Sequence, residues 1–163
     1  MITREQVLQE INYDPETGEF TRIKPRCGTR TGIIRNKPNA KGYISIRVGA
    51  LRPIRAHHLA WLISYGEWPS GQIDHRDRNP ANNRLSNLRL ASAKENSRNR
   101  SLRKDNALRL KGVWFDRQNN RFRAQICVDG KTKYLGNFMT AEEAAAAYET
   151  AAADLFGEFS PTN

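Results

Sequence analysis

The sequence predicts an α+β protein of two small domains, residues 1–100 and residues 110–163, joined by a linker at residues 101–109. Short runs of alternating apolar side chains, such as residues 43–48, indicate strands bounded by turns. Residues 99–109 are polar and basic and have no sustained apolar period, which is typical of a connection between domains. Three strand patterns and one alanine-rich helical pattern follow, so the second domain is predicted to be a three-stranded antiparallel sheet packed on one helix.

The 163 residues carry a formal net charge of +10, and the basic excess lies in the first domain. Residues 1–100 contain 18 basic and 9 acidic side chains, whereas residues 101–163 contain 9 and 8. Clustered Lys and Arg gain affinity by releasing counterions from phosphates, so this composition predicts a polyanionic partner. No stretch approaches the roughly 18 apolar residues of a membrane span, and the N-terminus shows no signal region, so we expect a cytoplasmic protein without membrane contact.

The two cysteines, Cys27 and Cys127, lie far apart, and neither belongs to a CxxC pair. A zinc ribbon needs closely spaced pairs of thiols, and a disulfide framework needs more cysteines than these. We therefore expect reduced thiols and no zinc.

The elements of the first domain follow from local patterns. In order, they are a helix over residues 3–11, a turn over 14–18, a strand over 19–23, a basic loop over 24–41, strands over 43–48 and 52–56, and a helix over 57–65. The last helix directs Leu59, Leu62 and Ile63 toward the core. The basic loop either lies along a phosphate backbone or is a solvated loop without a partner.

A second group of elements follows toward the end of this domain. Residues 72–75 are predicted to form a short strand, residues 77–83 a turn rich in Asn and Asp, and residues 92–100 a helix. Ser92 and Glu95 stand three positions apart in a capping-box pattern at the start of that helix. The side chains on the first turns of the helix are therefore expected to face the strand.

Three side chains of this segment have the chemistry of a metal site with a base beside it. Asp74 and Asn96 are hard oxygen donors of the kind that hold Mg²⁺, and His75 is a base that titrates near neutral pH. A divalent metal beside an imidazole is what phosphodiester hydrolysis needs. The same residue types are common in turns and helix caps, so spacing alone leaves that interpretation open.

Residues 10–100, approximately, contain several motifs whose order and spacing are informative together. The motifs are His57-His58-Leu59-Ala60-Trp61-Leu62, Gly66-Glu67-Trp68-Pro69, Ile73-Asp74-His75, Asn82-Asn83-Arg84, Asn87-Leu88-Arg89 and Glu95-Asn96. In these motifs the chain resembles the HNH endonucleases, and within them the branch found in phages and in group I intron homing enzymes. The resemblance implies a ββα-metal domain, in which two strands and a helix surround one divalent cation.

The resemblance also implies roles for individual residues. Asp74 and Asn96 would bind the metal, with Mg²⁺ expected and Mn²⁺ as a substitute, and His75 would be the general base. Asn87 would fix the loop and orient His75 through a backbone or imidazole hydrogen bond. His57 matches a family histidine outside the metal motif, for which a buried structural role is favoured over a catalytic one, and His58 is left without a role.

The second domain has its own complete pattern. Strands are predicted over residues 111–115, 121–128 and 131–138, with a hairpin turn at Asp129-Gly130, followed by a helix that Thr140 caps and Gly157 ends. With GVW, RAQI, YLGNF and TAEEAAAAY in this order, residues 110–158 resemble the ethylene-response-factor type of DNA-binding domain. The resemblance implies a sheet that enters the major groove of DNA. A domain that binds DNA weakly, or that mainly packs on the nuclease, is the alternative.

Together these features predict a metal-dependent DNA endonuclease, a site-preferring homing-type enzyme that nicks one strand as a monomer or cuts both as a dimer. The alternative is a DNA-binding regulator with a degenerate nuclease domain. A phage-encoded enzyme would act in the cytosol of the bacterial host. Double-stranded DNA is the predicted partner, and its predicted contacts are Arg22, Lys24, Arg26, Arg30, Arg35, Lys37, Arg98, Arg100, Arg103, Lys104, Trp114, Arg117, Arg121, Arg123, Lys131 and Lys133.

Overall fold

The structure is a computed structural model that describes residues 2–25, 28, 30–50, 52–99, 106 and 108–160, with Arg98 described by its backbone alone. The chain divides into two units, Met1–Asn96 and Ser97–Asn163. Helices and small antiparallel sheets occur in both units, which confirms the prediction of an α+β protein. Cys27 and most of the predicted linker at 101–109 lie outside the described residues. Within the described ranges, no helix is long and apolar enough to cross a membrane.

The first unit consists of short elements arranged around one ten-residue helix. In chain order they are α1 (Arg4–Leu8), β1 (Ile11–Tyr13), β2 (Phe20–Arg22), β3 (Gly32–Ile33), β4 (Ser45–Ile46), β5 (Ile54–Arg55), α2 (Ala56–Tyr65), β6 (Gln72–His75), a 3₁₀ turn (Leu85–Asn87), β7 (Leu88–Ala91) and α3 (Ala93–Arg98). The strands form a sheet of order β1-β2-β3 and two antiparallel pairs, β4-β5 and β6-β7. Helix α3 crosses the boundary between the two units.

Helix α2 provides more of the core of the first unit than any other element. Seven of its ten residues are buried, and it ends at Gly66, whose φ of 83° allows the left-handed turn that closes the helix. Leu59 and Leu62 pack with Val7 of α1 and Ile46 of β4. Burial of each such large apolar side chain contributes about 1.5–3 kcal/mol. Ile73 and Leu88 belong to the same cluster and anchor the β6-β7 pair to this core.

Several predicted elements of the first unit differ from the structure. The predicted loop over 24–41 contains strand β3, which pairs with β2, and the predicted strand over 52–56 is limited to Ile54–Arg55. The predicted helix over 3–11 ends at Leu8, and Ile11–Tyr13 instead forms β1, which pairs with β2. Pairing across the turn at Asp14 buries Ile11 completely, so a tertiary contact overrides the local helical pattern. The predicted strand over 43–48 is shorter than expected, because only Ser45–Ile46 pairs with β5.

The second unit is a three-stranded sheet covered by one helix. Its elements are β8 (Val113–Asp116), β9 (Arg121–Val128), β10 (Lys131–Phe138), α4 (Ala141–Phe156) and a final 3₁₀ turn (Gly157–Phe159). The sheet has the order β10-β9-β8, with a bulge between Tyr134 and Gly136. Thr140 and Glu143 form the predicted capping box at the start of α4. Alternating residues of β9, including Ala124 and Ile126, are buried against the alanines of α4.

The alanine-rich helix lies close to the sheet, and Gly112 marks the closest approach. Gly112 has a φ of 69°, and a Cβ atom at this position would overlap the Tyr148 ring of α4 and the carbonyl oxygen of Gln125. Its own carbonyl accepts the N–H of Gln125 at 2.9 Å, so the backbone cannot move away without losing that bond. Glycine is therefore required here by both backbone conformation and space.

We predict that Gly112→Ala lowers the free energy of unfolding by about 2–5 kcal/mol, because left-handed strain and overpacking add. Gly130→Ala is the matched control, since Gly130 has a φ of 78° but nothing within 4 Å of the added carbon. It should cost only the strain, about 1–2 kcal/mol. Urea unfolding of the full chain, followed by circular dichroism, measures both, and equal losses would contradict the packing argument.

Candidate active site

The candidate site is built on the β6-β7 pair and the helix that follows it. The register places Asp74 opposite Arg89 and His75 opposite Leu88. Asp74 and His75 are only 5% and 6% exposed, so both polar side chains are held in a largely dehydrated position. Two antiparallel strands followed by a helix, α3, give the ββα order expected from the sequence.

Asp74 forms a buried ion pair with Arg89. The Nε and Nη2 atoms of Arg89 donate to Oδ2 of Asp74 at 2.9 and 2.8 Å. Both side chains are largely shielded from water, so each charge needs the other to offset the cost of dehydration. Arg89 had no predicted role, although a charged residue inside the otherwise apolar strand LRLA was a signal for one.

Asn96 lies against the strand that carries Asp74. Its Nδ2 donates to Oε1 of Gln72 at 2.7 Å. Gln72 and Asp74 are two residues apart in β6, so their side chains lie on the same face of the strand. Ser92 and Glu95 exchange the hydrogen bonds of a capping box at the start of α3, which fixes the first turn that carries Asn96.

Asn87 fastens the loop between the two strands. Its Oδ1 accepts the N–H of Asp77 at 3.0 Å, and its Nδ2 donates to Oδ1 of Asp77 and to the carbonyl of Asn82, both at 2.9 Å. Its own carbonyl accepts the N–H of Arg76, the residue after His75, at 2.9 Å. Of the two routes considered from the sequence, these contacts support orientation of His75 through the backbone.

The His75 ring is enclosed by other rings. His57 is nearly perpendicular to it at a centroid distance of 5.0 Å, and Tyr43 lies edge-on at 6.1 Å. Burial lowers the pKa of His75 below its usual value, and the neighbouring Asp77, Asn83 and Asp74 oppose only part of that shift. The imidazole is therefore neutral at pH 7, the state in which it can accept a proton.

His57 is a second buried imidazole, in contact with the first. It is 4% exposed, and its Nδ1 has no hydrogen-bond partner among the described residues. Burial, with the nearby His58, His75 and Arg55, lowers the pKa of His57 to about 3. A neutral ring that packs between Tyr43 and His75 accords with the structural role favoured from the sequence.

The donor chemistry of the site fits one hard divalent cation. Asp74 offers carboxylate oxygen and Asn96 carboxamide oxygen, the ligand types of Mg²⁺, which keeps several of its waters. Within the described ranges, no group of three or more His, Cys, Asp and Glu side chains converges as a metal cluster would. A carboxylate and a carboxamide oxygen are ligands for a cation that is held mostly by water, although Oδ2 of Asp74 already accepts two bonds from Arg89.

The predicted DNA contacts between Arg22 and Lys104 fall into three groups. Lys24, Arg30, Arg35 and Lys37 are exposed, as a contact to phosphate requires. Arg22 differs, because it is buried and its guanidinium binds Glu10 at 3.4 Å and the carbonyl of Arg47 at 2.8 Å. Those bonds hold Arg22 in the interior, away from a DNA surface. Outside the described atoms lie Arg26, Arg100, Arg103, Lys104 and the side chain of Arg98.

In the second unit, the outward face of the sheet carries a stack of rings around a cation. The guanidinium of Arg123 lies 5.8 Å from the centroid of the Trp114 ring and 4.9 Å from that of Tyr134. Arg123 pairs across the sheet with Trp114, and Tyr134 pairs with the next outward residue of β9, Gln125. The other predicted contacts follow the same strands and their turns, with Arg117, Lys131 and Lys133 exposed and Arg121 half-buried opposite Asp116.

Comparisons with known proteins agree with this geometry. A family model described as HNH endonuclease matches residues 55–98, which include α2, the β6-β7 pair and α3. The chain is 41% identical over 103 residues to an uncharacterized HNH endonuclease of Acanthamoeba polyphaga mimivirus, a match that covers 63% of this chain. It is 37% identical over 106 residues to Protein 3.8 of Escherichia phage T7, which covers 64% of this chain and 87% of the phage protein.

A ββα unit with Asp74 and His75 at its centre defines the class of the protein, and the relatives give its family. The chain belongs to the HNH endonuclease family. It spans about half of the mimivirus relative, 52% of that protein's length. The prediction of an HNH endonuclease domain with viral relatives is confirmed, and the resemblance of the second unit to an ethylene-response-factor domain stays a prediction.

We predict that Arg89→Met lowers the free energy of unfolding by about 3–5 kcal/mol, because it removes the cation that pairs with the buried Asp74 carboxylate. Asp74→Asn should cost a comparable amount by removing the carboxylate that pairs with the buried guanidinium. The double variant should recover most of the loss, since neither charge remains. Urea unfolding of the four proteins gives the coupling energy, and strictly additive losses would show that the pair is not coupled.

Proposed function

We propose that the chain is a metal-dependent endonuclease that hydrolyses phosphodiester bonds in double-stranded DNA, and that its second unit supplies affinity and site preference. The observation that carries the proposal is a buried, neutral imidazole, His75, directly after a buried carboxylate, Asp74, in an HNH-family ββα unit. The phage and viral relatives support the host cytosol as the place of action.

His75 would act as the general base. A neutral imidazole takes a proton from the water that attacks the scissile phosphorus, and then passes that proton to solvent. The T-shaped packing of His57 restricts rotation of the base, and the bonds of Asn87 to Asp77 and Asn82 fasten the loop that begins after it. The chain thereby keeps the base in one orientation before DNA arrives.

Asp74 and Asn96 would hold the divalent cation, for which Mg²⁺ is the best fit and Mn²⁺ a substitute. When bound, the cation would neutralise charge on the scissile phosphate and on the leaving oxygen. The products would carry a 5′ phosphate and a 3′ hydroxyl, the outcome expected of this family. A monomer offers one such site and would nick one strand, whereas a dimer would cut both.

The charge of the chain supports DNA as the substrate. Most of the basic excess belongs to residues 1–100, where the exposed cations Lys24, Arg30, Arg35 and Lys37 lie in the segment over residues 24–41. In the second unit, the Trp114–Arg123–Tyr134 stack offers a cation and two ring faces on one side of the sheet. A homing-type enzyme needs both non-specific affinity and a reader of sequence, and the two units supply these separately.

A plasmid-cleavage assay tests the proposal. In Mg²⁺ the full chain should convert supercoiled plasmid to nicked or linear forms, and EDTA should stop the reaction. Asp74→Ala should abolish cleavage, Asn96→Ala should behave alike or less severely, and His75→Ala should lower the rate by about 10²–10⁴. If the wild type binds DNA tightly but never cuts it, the chain is a DNA-binding regulator with a degenerate nuclease domain.

The pH dependence of cleavage provides a further check on His75 in the same assay. The base must be neutral to act, so the rate should rise with pH up to the pKa of His75 and be level above it. Burial lowers that pKa from 6.5, and a bound cation would lower it further, so the midpoint should lie below pH 6.5. His75→Ala should remove this acid limb, and a limb that persists would belong to another group.

We predict that removal of the second unit, by truncation after about Arg100, preserves cleavage while weakening binding and broadening site choice, because the tether no longer raises effective concentration. In the full chain, Arg123→Met should shift affinity and site choice in the same direction without changing the rate at saturating DNA. Fluorescence anisotropy and sequencing of cleaved ends from a random library measure the two effects. Unchanged affinity and site choice in both proteins would exclude the second unit as the reader.

A further inference from the structure

Arg55 is the last residue of β5 and immediately precedes α2. It pairs across the strands with Ser45, and Tyr43 precedes Ser45 by two residues. This arrangement brings the guanidinium of Arg55 to 4.3 Å from the centroid of the Tyr43 ring. A cation at that distance over an aromatic face is held in place without being neutralised.

The ring that holds Arg55 also contacts the base. Tyr43 lies at a centroid distance of 6.1 Å from His75 and 5.4 Å from His57. A single aromatic side chain therefore separates the guanidinium from the imidazole that would activate water. The charge of Arg55 also contributes to lowering the pKa of both His57 and His58, which places it close to this cluster of rings.

The charge of Arg55 faces solvent. Arg55 is exposed, and within the described part of the chain no carboxylate forms an ion pair with it. Arg22 and Arg89 are different, because each is buried beside its own carboxylate. The positive charge of Arg55 is thus available to an anion from outside.

The position is unusual for an arginine. Arg55 is the N-cap of α2, but its side chain makes no capping bond. N-cap positions favour Ser, Thr, Asp and Asn, and a cation there adds to the positive end of the helix dipole instead of opposing it. Natural sequences break such local rules mainly at functional sites. Here the dipole and the guanidinium both attract an anion.

We propose that Arg55 binds a backbone phosphate of the DNA, adjacent to the bond that is cut, and that Tyr43 is the positioning residue that orients its guanidinium. This inference rests on the nuclease function proposed above. The planar guanidinium matches two phosphate oxygens, and a contact beside the base would set the register of the strand relative to His75. None of the predicted DNA contacts included this position.

The test is a chemical double-mutant cycle on the full chain. The substrates are duplexes in which one phosphate at a time, near the mapped cleavage position, is replaced by an uncharged methylphosphonate. The variant Arg55→Met keeps an apolar side chain over Tyr43 and removes the charge. Arg52→Met is the matched control, because Arg52 is exposed nearby but contacts no ring in the described structure.

We expect Arg55→Met to lower kcat/KM by roughly 10- to 100-fold and to reduce the salt slope of binding by about one unit. At one phosphate that flanks the cleaved bond, the methylphosphonate should lower kcat/KM of the wild type about as much as Arg55→Met does. The same methylphosphonate should lower kcat/KM of Arg55→Met no further. Arg52→Met should show a small loss that no single methylphosphonate removes. Arg55→Lys should keep the salt slope and show a smaller loss, because the charge remains without the bidentate geometry.

The outcomes separate this inference from the function on which it rests. Suppose that the wild type cuts DNA. The phosphate contact is then excluded, and the nuclease function stands, if Arg55→Met loses no more activity than Arg52→Met. The same conclusion follows if the loss of activity in Arg55→Met, relative to the wild type, is equally large with every methylphosphonate substrate. If the wild type cuts no DNA, both fail. Should Arg55→Met lose its thermal unfolding transition, the same cycle with Arg55→Gln, which also removes the charge, decides, and absence of coupling at every phosphate overturns the proposal.

Discussion

The buried ion pair between Asp74 and Arg89 is the contact on which the geometry of the site depends. A two-stranded hairpin is marginally stable by itself, and a register shift of one residue would turn every side chain to the opposite face. The pair joins the two strands directly across their register, so a shifted alignment would leave two charges buried and separated. Such pairs often add little net stability, because dehydration offsets much of the attraction. Their contribution here is the selection of one alignment, in which Asp74 faces α3.

The rest of the site is arranged around that alignment. Ile73 and Leu88 attach the hairpin to the core beneath α2, and Asn87 fastens the loop that joins the strands. Three aromatic rings, those of Tyr43, His57 and His75, then pack against one another beside the strand end. Burial keeps the two imidazoles neutral, so they can pack without electrostatic repulsion. The same shielding from water that stabilises this cluster prepares His75 to act as a base.

Local signals predicted those elements that depend on local chemistry. The alternation in β9 and β10, with Asp129-Gly130 between them, predicted both strands at the bounds that the structure has. The strand Gln72–His75 was predicted equally well, because its short apolar run ends in a polar turn. Strand β1 was missed because its pairing with β2, rather than its own sequence, makes it extended. Local propensity cannot report a contact of this kind.

Side-chain contacts between residues close in sequence were predictable too, whereas contacts between distant residues were not. The capping boxes at Ser92 and Thr140 involve residues three apart and were visible in the sequence. The partner of Asp74 was not visible, because Arg89 lies fifteen positions away and meets it only through the strand register. Burial of Arg22 beside Glu10 was hidden for a similar reason, since its basic neighbourhood suggested a surface contact. The residues that carry the chemistry were recognisable, whereas the contacts that orient them required the fold.

The Trp114–Arg123–Tyr134 stack has a consequence for the entropy of any association on that face. The rotamer entropy of an unrestrained arginine side chain is equivalent to about 2 kcal/mol of free energy. Part of this entropy is lost whenever a partner immobilises the side chain. Arg123 lies between two rings in the isolated chain, so much of that entropy is already gone before a partner arrives. A ligand that binds this face therefore meets an ordered cation, and part of the entropic cost of immobilising Arg123 was incurred during folding.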